Sequence, residues 1–321
     1  MYVQTTIVSV FRLFKNAILH SPYYLILTFS FQMIFLTQND KYYIGTIVVT
    51  ILVGVVIFMV FVFIKRVVMS IVDGLEMMYT FFTKRPAFIH LYVFIKKMKP
   101  EQIRILEEQF TFYKRLDEKN KLYFRHRVAS FIDKKQFIGK EGFLISEQVQ
   151  VLVSATAVML TFGFRDFMIE AVEHIIIYPT QYYSQLNKQY HKGEFNTRLK
   201  TLVLSWDSFI DGYRIEDDKL NLGIHEFAHA IHFNSIYQED INSIIFIDTF
   251  NELRSLIAED EFLKNRLITS EYLRDYAFTN DFELLAVILE TFIETPLAFR
   301  KQFPVVYYKV RQMLNFNFPS Y

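Results

Sequence analysis

The run "YIGTIVVTILVGVVIFMVFVFI", Tyr43–Ile64, is twenty-two residues long and carries no charged side chain. At about 1.5 Å per residue a helix of that length spans roughly 33 Å, enough to cross the hydrocarbon core of a bilayer. Asn39–Lys41 precede the run and Lys65–Arg66 follow it. Residues 17–36 form a second candidate span, free of Asp, Glu, Lys and Arg but holding His20, Pro22 and Gln32. Pro22 falls where a first helical turn tolerates it. An interfacial helix is the alternative for this stretch. If both segments span, they form a transmembrane helical hairpin with a short outer loop at Thr37–Lys41. Arg12, Lys15, Lys65 and Arg66 then share one side, which the positive-inside rule makes cytoplasmic. A cleaved signal peptide is not expected, because no small-residue cleavage pattern follows the first apolar run and a second span comes after it.

Charge divides the chain in the same place. Residues 1–100 hold ten Lys/Arg and three Asp/Glu, net +7, whereas the remainder is net −6. The basic part is also the apolar part, which points to a membrane surface. A formal net charge of +1 argues against a nucleic-acid binder. The absence of cysteine excludes disulfides, thiolate metal ligands and a Cys nucleophile. Val67–Phe82 and Ala87–Ile95 remain apolar with basic residues between and after them, and read as membrane-proximal helices, with an ordinary basic surface as the alternative.

From Glu101 onward the pattern is that of a globular domain. Residues 101–116 and 122–132 read as amphipathic helices and 149–164 as a core helix. "HIIIYP" (174–179) and "TLVLSW" (201–206) read as strands, with a break expected at Asp211–Gly212. Helical periodicity resumes at Leu220 and runs to the end. The expected organisation is an anchor over residues 1–98, with spans at about 17–36 and 43–64, followed by an α+β, predominantly helical domain over 99–321.

Three of the chain's 8 histidines lie in "NLGIHEFAHAIHF", Asn221–Phe233. His225, Glu226 and His229 form HExxH. On a helix, residues four apart share a face, so both imidazoles can meet one zinc ion. Glu226 sits beside the first ligand, placed to take a proton from a metal-activated water and pass it to a leaving amine. His232 lies about 10.5 Å along the axis from His225, too far to share its metal, and is expected to pack or to support a ligand. A metzincin would need a third histidine at 235, where Ser235 stands. Downstream, Glu283 and Glu290 share a helix face and Glu294 follows them. Asn280-x-x-Glu283 also fits a capping box, so the residues alone leave Glu283 open between metal ligand and helix cap.

Several stretches together resemble the family of Mlc titration factor A, zinc peptidases of the gluzincin type. They are "FIDKKQFIGKEGFLISEQVQVLVSA", "HIIIYPTQY", "GEF" at 193–195, "LVLSWDSFIDG", "NLGIHEFAHAI" and "DYAFTNDFELLAVILETFIETPLAFRKQFPVVYYKVRQML". The resemblance covers about residues 99–321 and implies a zincin-like fold with a Zn2+ cofactor. It implies His225, His229 and Glu283 as ligands, Glu226 as general base, and Tyr276 as a residue near the metal that steadies an oxyanion. Glu290 becomes a residue that orients a ligand. The strand 201–206 is similar to the edge strand along which a zincin holds its peptide. Where this chain has His232 the family usually has Asp. The implied activity is hydrolysis of small peptides, aminopeptidase-like, and the founding member binds a sugar-responsive transcription repressor. The expected partners are therefore a peptide or protein substrate, the lipid bilayer and a regulatory protein. The expected location is a bacterial inner (plasma) membrane, with the catalytic domain facing the cytoplasm. The contrasting expectation is a membrane-tethered binding protein with a structural or vestigial zinc site.

Overall fold

A computed structural model describes residues 38–184, 188–214 and 220–318. The span expected at 17–36, and with it the hairpin, lies outside the described residues. The chain divides between Gly74 and Leu75 into two units.

The described part of the first unit is helical and belongs to α1 (Gln38–Thr83). The charge-free run lies inside this helix. Its most apolar 18-residue window has a mean hydropathy of 3.4 and none of it is buried, so the helix is long and apolar enough to cross a bilayer. The residues expected as a first membrane-proximal helix, 67–82, continue α1. The second, 87–95, is not a helix but an irregular segment. Buried Pro86 interrupts the backbone ladder just after α1, and the chain then follows an irregular, bent course.

The second unit is mostly helical, with a four-stranded mixed sheet and a separate two-stranded antiparallel one. After α1 come α2 (Pro100–Gln109), α3 (Thr111–Arg115) and α4 (Glu118–Lys134). The single amphipathic helix expected over 101–116 is thus two. Phe110 is extended and 1% exposed, so its burial interrupts the helix. Then follow β1 (Gln136–Gly139), α5 (Glu147–Leu160), β2 (His174–Tyr178), β3 (Tyr182–Ser184), β4 (Gln189–His191), β5 (Gly193–Asn196) and β6 (Thr201–Ser205). The remaining helices are α6 (Trp206–Arg214), α7 (Leu222–Tyr237), α8 (Ile241–Glu259), α9 (Glu261–Thr269), α10 (Asp281–Glu294), α11 (Pro296–Gln302) and α12 (Pro304–Met313), with a 3-10 turn at Asp275–Phe278. Asp211 and Gly212 do not break the chain but lie within α6.

The four-stranded sheet has the order β1-β2-β6-β5. β1, β2 and β6 are parallel, and β5 runs antiparallel to β6. Ile175 and Ile177 of β2 are fully buried, as is every residue of α5 from Val151 to Leu160 apart from Met159 and Leu152 at a few per cent. The expectation that 201–206 forms the edge strand is overturned: β6 is interior, flanked by β2 and β5, and all five of its residues are buried. The edge on that side is β5, which contains "GEF", and β1 is the other.

Candidate metal centre

Helix α7 carries the HExxH residues. Asn221 caps it by accepting from the Ile224 N–H, and small Ala228 and Ala230 let it run through the core. Two glycines allow other elements to approach. A Cβ on Gly223 would lie 2.6 Å from the Phe209 ring of α6. A Cβ on Gly193 of β5 would lie 2.8 Å from Oε1 of Glu226, so the edge strand passes directly over that carboxylate.

Helix α10 supplies the opposing wall. Asn280 caps it, its side chain accepting from the N–H groups of Phe282 and Glu283. The Glu283 carboxylate does not return to the cap but turns to the histidines. Nε2 of His225 lies 3.0 Å from Oε2 of Glu283 and 3.1 Å from Nε2 of His229. Nε2 of His229 lies 3.6 Å from the same Oε2. Bonds of about 2.0–2.2 Å to a tetrahedral ion set ligand atoms roughly 3.3–3.6 Å apart. Oε2 of Glu283 is buried and faces both imidazole nitrogens. A buried carboxylate oxygen set there calls for positive charge opposite it, a proton or a cation.

Glu290, one helical repeat on, is 1% exposed. Its Oε1 accepts from Nδ1 of His225 at 2.6 Å and from Arg274 at 2.6 Å, and its Oε2 accepts from the Asn221 N–H at 3.0 Å. The bond at Nδ1 orients the ring so that Nε2 faces His229 and Glu283, the nitrogen open to a metal once its proton has left. Burial disfavours a charged His225 ring, yet hydrogen bonds to Glu283 and Glu290 outweigh it and raise the pKa to about 9. Glu283 is held below the usual carboxylate range: burial opposes this, but the bonds to both histidines prevail. The surroundings therefore favour positive charge where the three groups meet.

Glu226 is 6% exposed. Burial pushes its pKa up and Glu283 and Glu194 add to the rise, against the pull of His225 and His229. Tyr276, on the 3-10 turn, has its ring 6.1 Å from that of His225 and is half exposed. Burial, then the charge of Glu283 and a hydrogen bond to it, raise the Tyr276 pKa to about 12, so the phenol stays a donor.

His232 is not among the converging groups. It is enclosed by Phe282, Phe250 and Phe246, with ring centroids 4.9, 5.0 and 6.3 Å away. Its Nδ1 is buried without a partner among the described residues. Two contributors escape sequence reasoning. Asn221 carries an ordinary N-cap signal, and only the fold shows its N–H meeting Glu290. Arg274 has no local signature.

Residues 92–315 match the glucose-regulated metallo-peptidase M90 family. The chain belongs to that family. It is the family of Mlc titration factor A to which the sequence motifs point. A curated relative from Synechocystis sp. (strain ATCC 27184 / PCC 6803 / Kazusa), described as uncharacterized protein slr2042, is 23% identical over 218 residues, spanning 63% of this chain and 78% of the relative. Membership implies a metallopeptidase-like function and a metal. His225, His229 and Glu283 are the group of metal-binding side chains close enough to hold one ion among the described residues.

Proposed function

We propose that the protein is a membrane-anchored zinc metallopeptidase of zincin-like fold, with residues 1–98 as anchor and 99–321 as a catalytic domain in the cytoplasm. The observation that carries the reading is the convergence of His225, His229 and Glu283 beside a buried Glu226, under an edge strand. The donor set, two imidazoles and one carboxylate with an open side, fits zinc. Zinc held there supplies a Lewis acid that activates water and polarises a carbonyl.

The chain's own groups supply the rest. Glu226, its pKa raised above the usual carboxylate range by burial, takes a proton from the attacking water and returns it to the leaving amine. The Tyr276 hydroxyl donates toward the oxygen on which negative charge develops. Glu290, braced by Arg274, holds the His225 ring in orientation. The outer edge of β5 offers backbone groups to an extended peptide, and Gly193 lets it come close to Glu226. Small peptides fit the family's implied substrate.

The test is the full-length protein, purified in detergent, compared with Glu226→Gln. Equal zinc content with hydrolysis reduced by about 10²–10⁴-fold supports the reading. Unchanged hydrolysis in the variant transfers any activity to another protein and favours the membrane-tethered binding role.

A further inference from the structure

The irregular segment between α1 and α2 is pinned to the domain along one side. Nε of Arg127 on α4 donates to the Tyr92 hydroxyl at 2.5 Å, and another of its nitrogens donates to the Ile89 carbonyl at 3.4 Å. The His90 ring stacks on Tyr123, 4.5 Å between centroids. The Lys96 N–H donates to Nδ1 of His126 at 2.8 Å, and Phe88 lies under the Arg165 guanidinium. Arg127 itself is fully buried, so these anchors reach into the core.

What the same segment turns outward is the opposite in character. Leu91, Val93 and Phe94 are 76%, 85% and 86% exposed. Scattered apolar side chains on a surface need no account, but three within four residues, on a fixed backbone, do. Arg85 and Lys97 flank them, both exposed. The last turns of α1 divide in the same way. Glu76 and Thr80 are buried, Glu76 paired with Arg165 at 2.9 Å, while Leu75, Met78, Tyr79 and Phe82 are exposed.

We infer that residues 88–95 are an interfacial lipid-docking loop, with Leu91, Val93 and Phe94 in the acyl-chain boundary and Arg85 and Lys97 on anionic headgroups. The occupant follows from two facts. The chain runs unbroken from a bilayer-length apolar helix into this loop, and bases border its apolar tip, as anionic lipid requires. Docking also requires α1, continuous over Gln38–Thr83, to bend after Arg66 so that its last turns run along the lipid surface, for which the exposed Leu75, Met78, Tyr79 and Phe82 are suited. The inference rests on the anchoring half of the proposed function and not on its chemistry.

The chain has no cysteine, so single introduced cysteines label cleanly. Full-length Val53→Cys, Phe94→Cys and Leu144→Cys are labelled with an environment-sensitive fluorophore in nanodiscs of mixed anionic and zwitterionic lipid. Leu144 is as exposed as Phe94 but stands between β1 and α5. The expected result is quenching by acyl-chain nitroxide lipid at 53 and 94 and none at 144. Adding Leu91→Asp and Val93→Asp to the 94 variant should abolish its quenching, which excludes insertion driven by the dye. Quenching at 53 with position 94 as water-exposed as 144 overturns the loop alone. No quenching at 53 overturns the anchor as well. A blue-shifted dye at 94 that lipid nitroxides do not quench means that protein covers the loop, and also overturns it.

Discussion

Helix α7 holds histidines of two kinds within eight residues. His225 and His229 face Glu283, with Glu290 behind, and the carboxylates there draw a positive charge to the His225 ring. His232, one turn past His229, faces Phe246 and Phe250 of α8 and Phe282 of α10, and burial first, then the charges of His229 and Arg254, lowers its pKa to about 4. Phe282 and Glu283 are neighbours in sequence, yet one closes the apolar cage and the other the polar site. The difference teaches that the imidazole's role is set by the element packed against it.

The largest effect expected from breaking the polar end comes from His229→Ala. Removing one of the three proposed ligands should empty the site, abolish hydrolysis and lower the melting temperature, since the metal's binding energy no longer favours the folded state. Elemental analysis alongside thermal melts checks both. Retained zinc in that variant would mean that the ion sits elsewhere. Glu226→Gln comes next, with zinc retained and hydrolysis down by about 10²–10⁴-fold. It separates a ligand from a proton carrier on the same helix turn.

Glu290→Gln probes the layer behind the ligands. The amide keeps the shape but weakens the acceptor at His225 Nδ1 and leaves Arg274 without its anion. Metal affinity should fall by about 10–100-fold, measured by competition with a chromogenic chelator. The loss should be reversed at high zinc, which a merely unfolded variant would not show. An affinity equal to that of the parent removes Glu290 from the polar end of the comparison.

Much of this contrast was legible in the sequence, because it depends on local spacing. HExxH puts two rings on one face, and Glu283 with Glu290 puts two carboxylates on another. The strands near 174–179 and 201–206 are equally local patterns of β-branched residues. What depended on distant pairing was not legible. β6 reads as an edge strand until β5 pairs with it, and four residues beginning with glycine give little strand signal of their own. Residues 87–95 have helical composition, but Arg127, Tyr123 and His126, some thirty residues away in sequence, hold them in an irregular course. Arg274 could be found only once Glu290 was known to lie beside it.

The smallest expected effect belongs to the apolar end, and it concerns pH. The folded pKa of His232, about 4, lies below the ordinary histidine value of 6.5. Between those values the unfolded chain holds a proton that the folded chain does not, so His232 costs stability progressively as pH falls through that window. His232→Leu, close in volume, removes both the titration and a buried nitrogen that lacks a partner. The variant should therefore be as stable as the parent or slightly more so at pH 7, with unchanged hydrolysis. Its advantage should widen as pH drops from about 6.5 to about 4. Denaturant midpoints of both proteins, taken with chelator present so that acid release of metal does not contribute, isolate the ring's share. Parallel midpoints across that window would mean that the cage does not hold the ring neutral. The two ends of α7 would then differ only in what they touch, and no longer in the charge they favour.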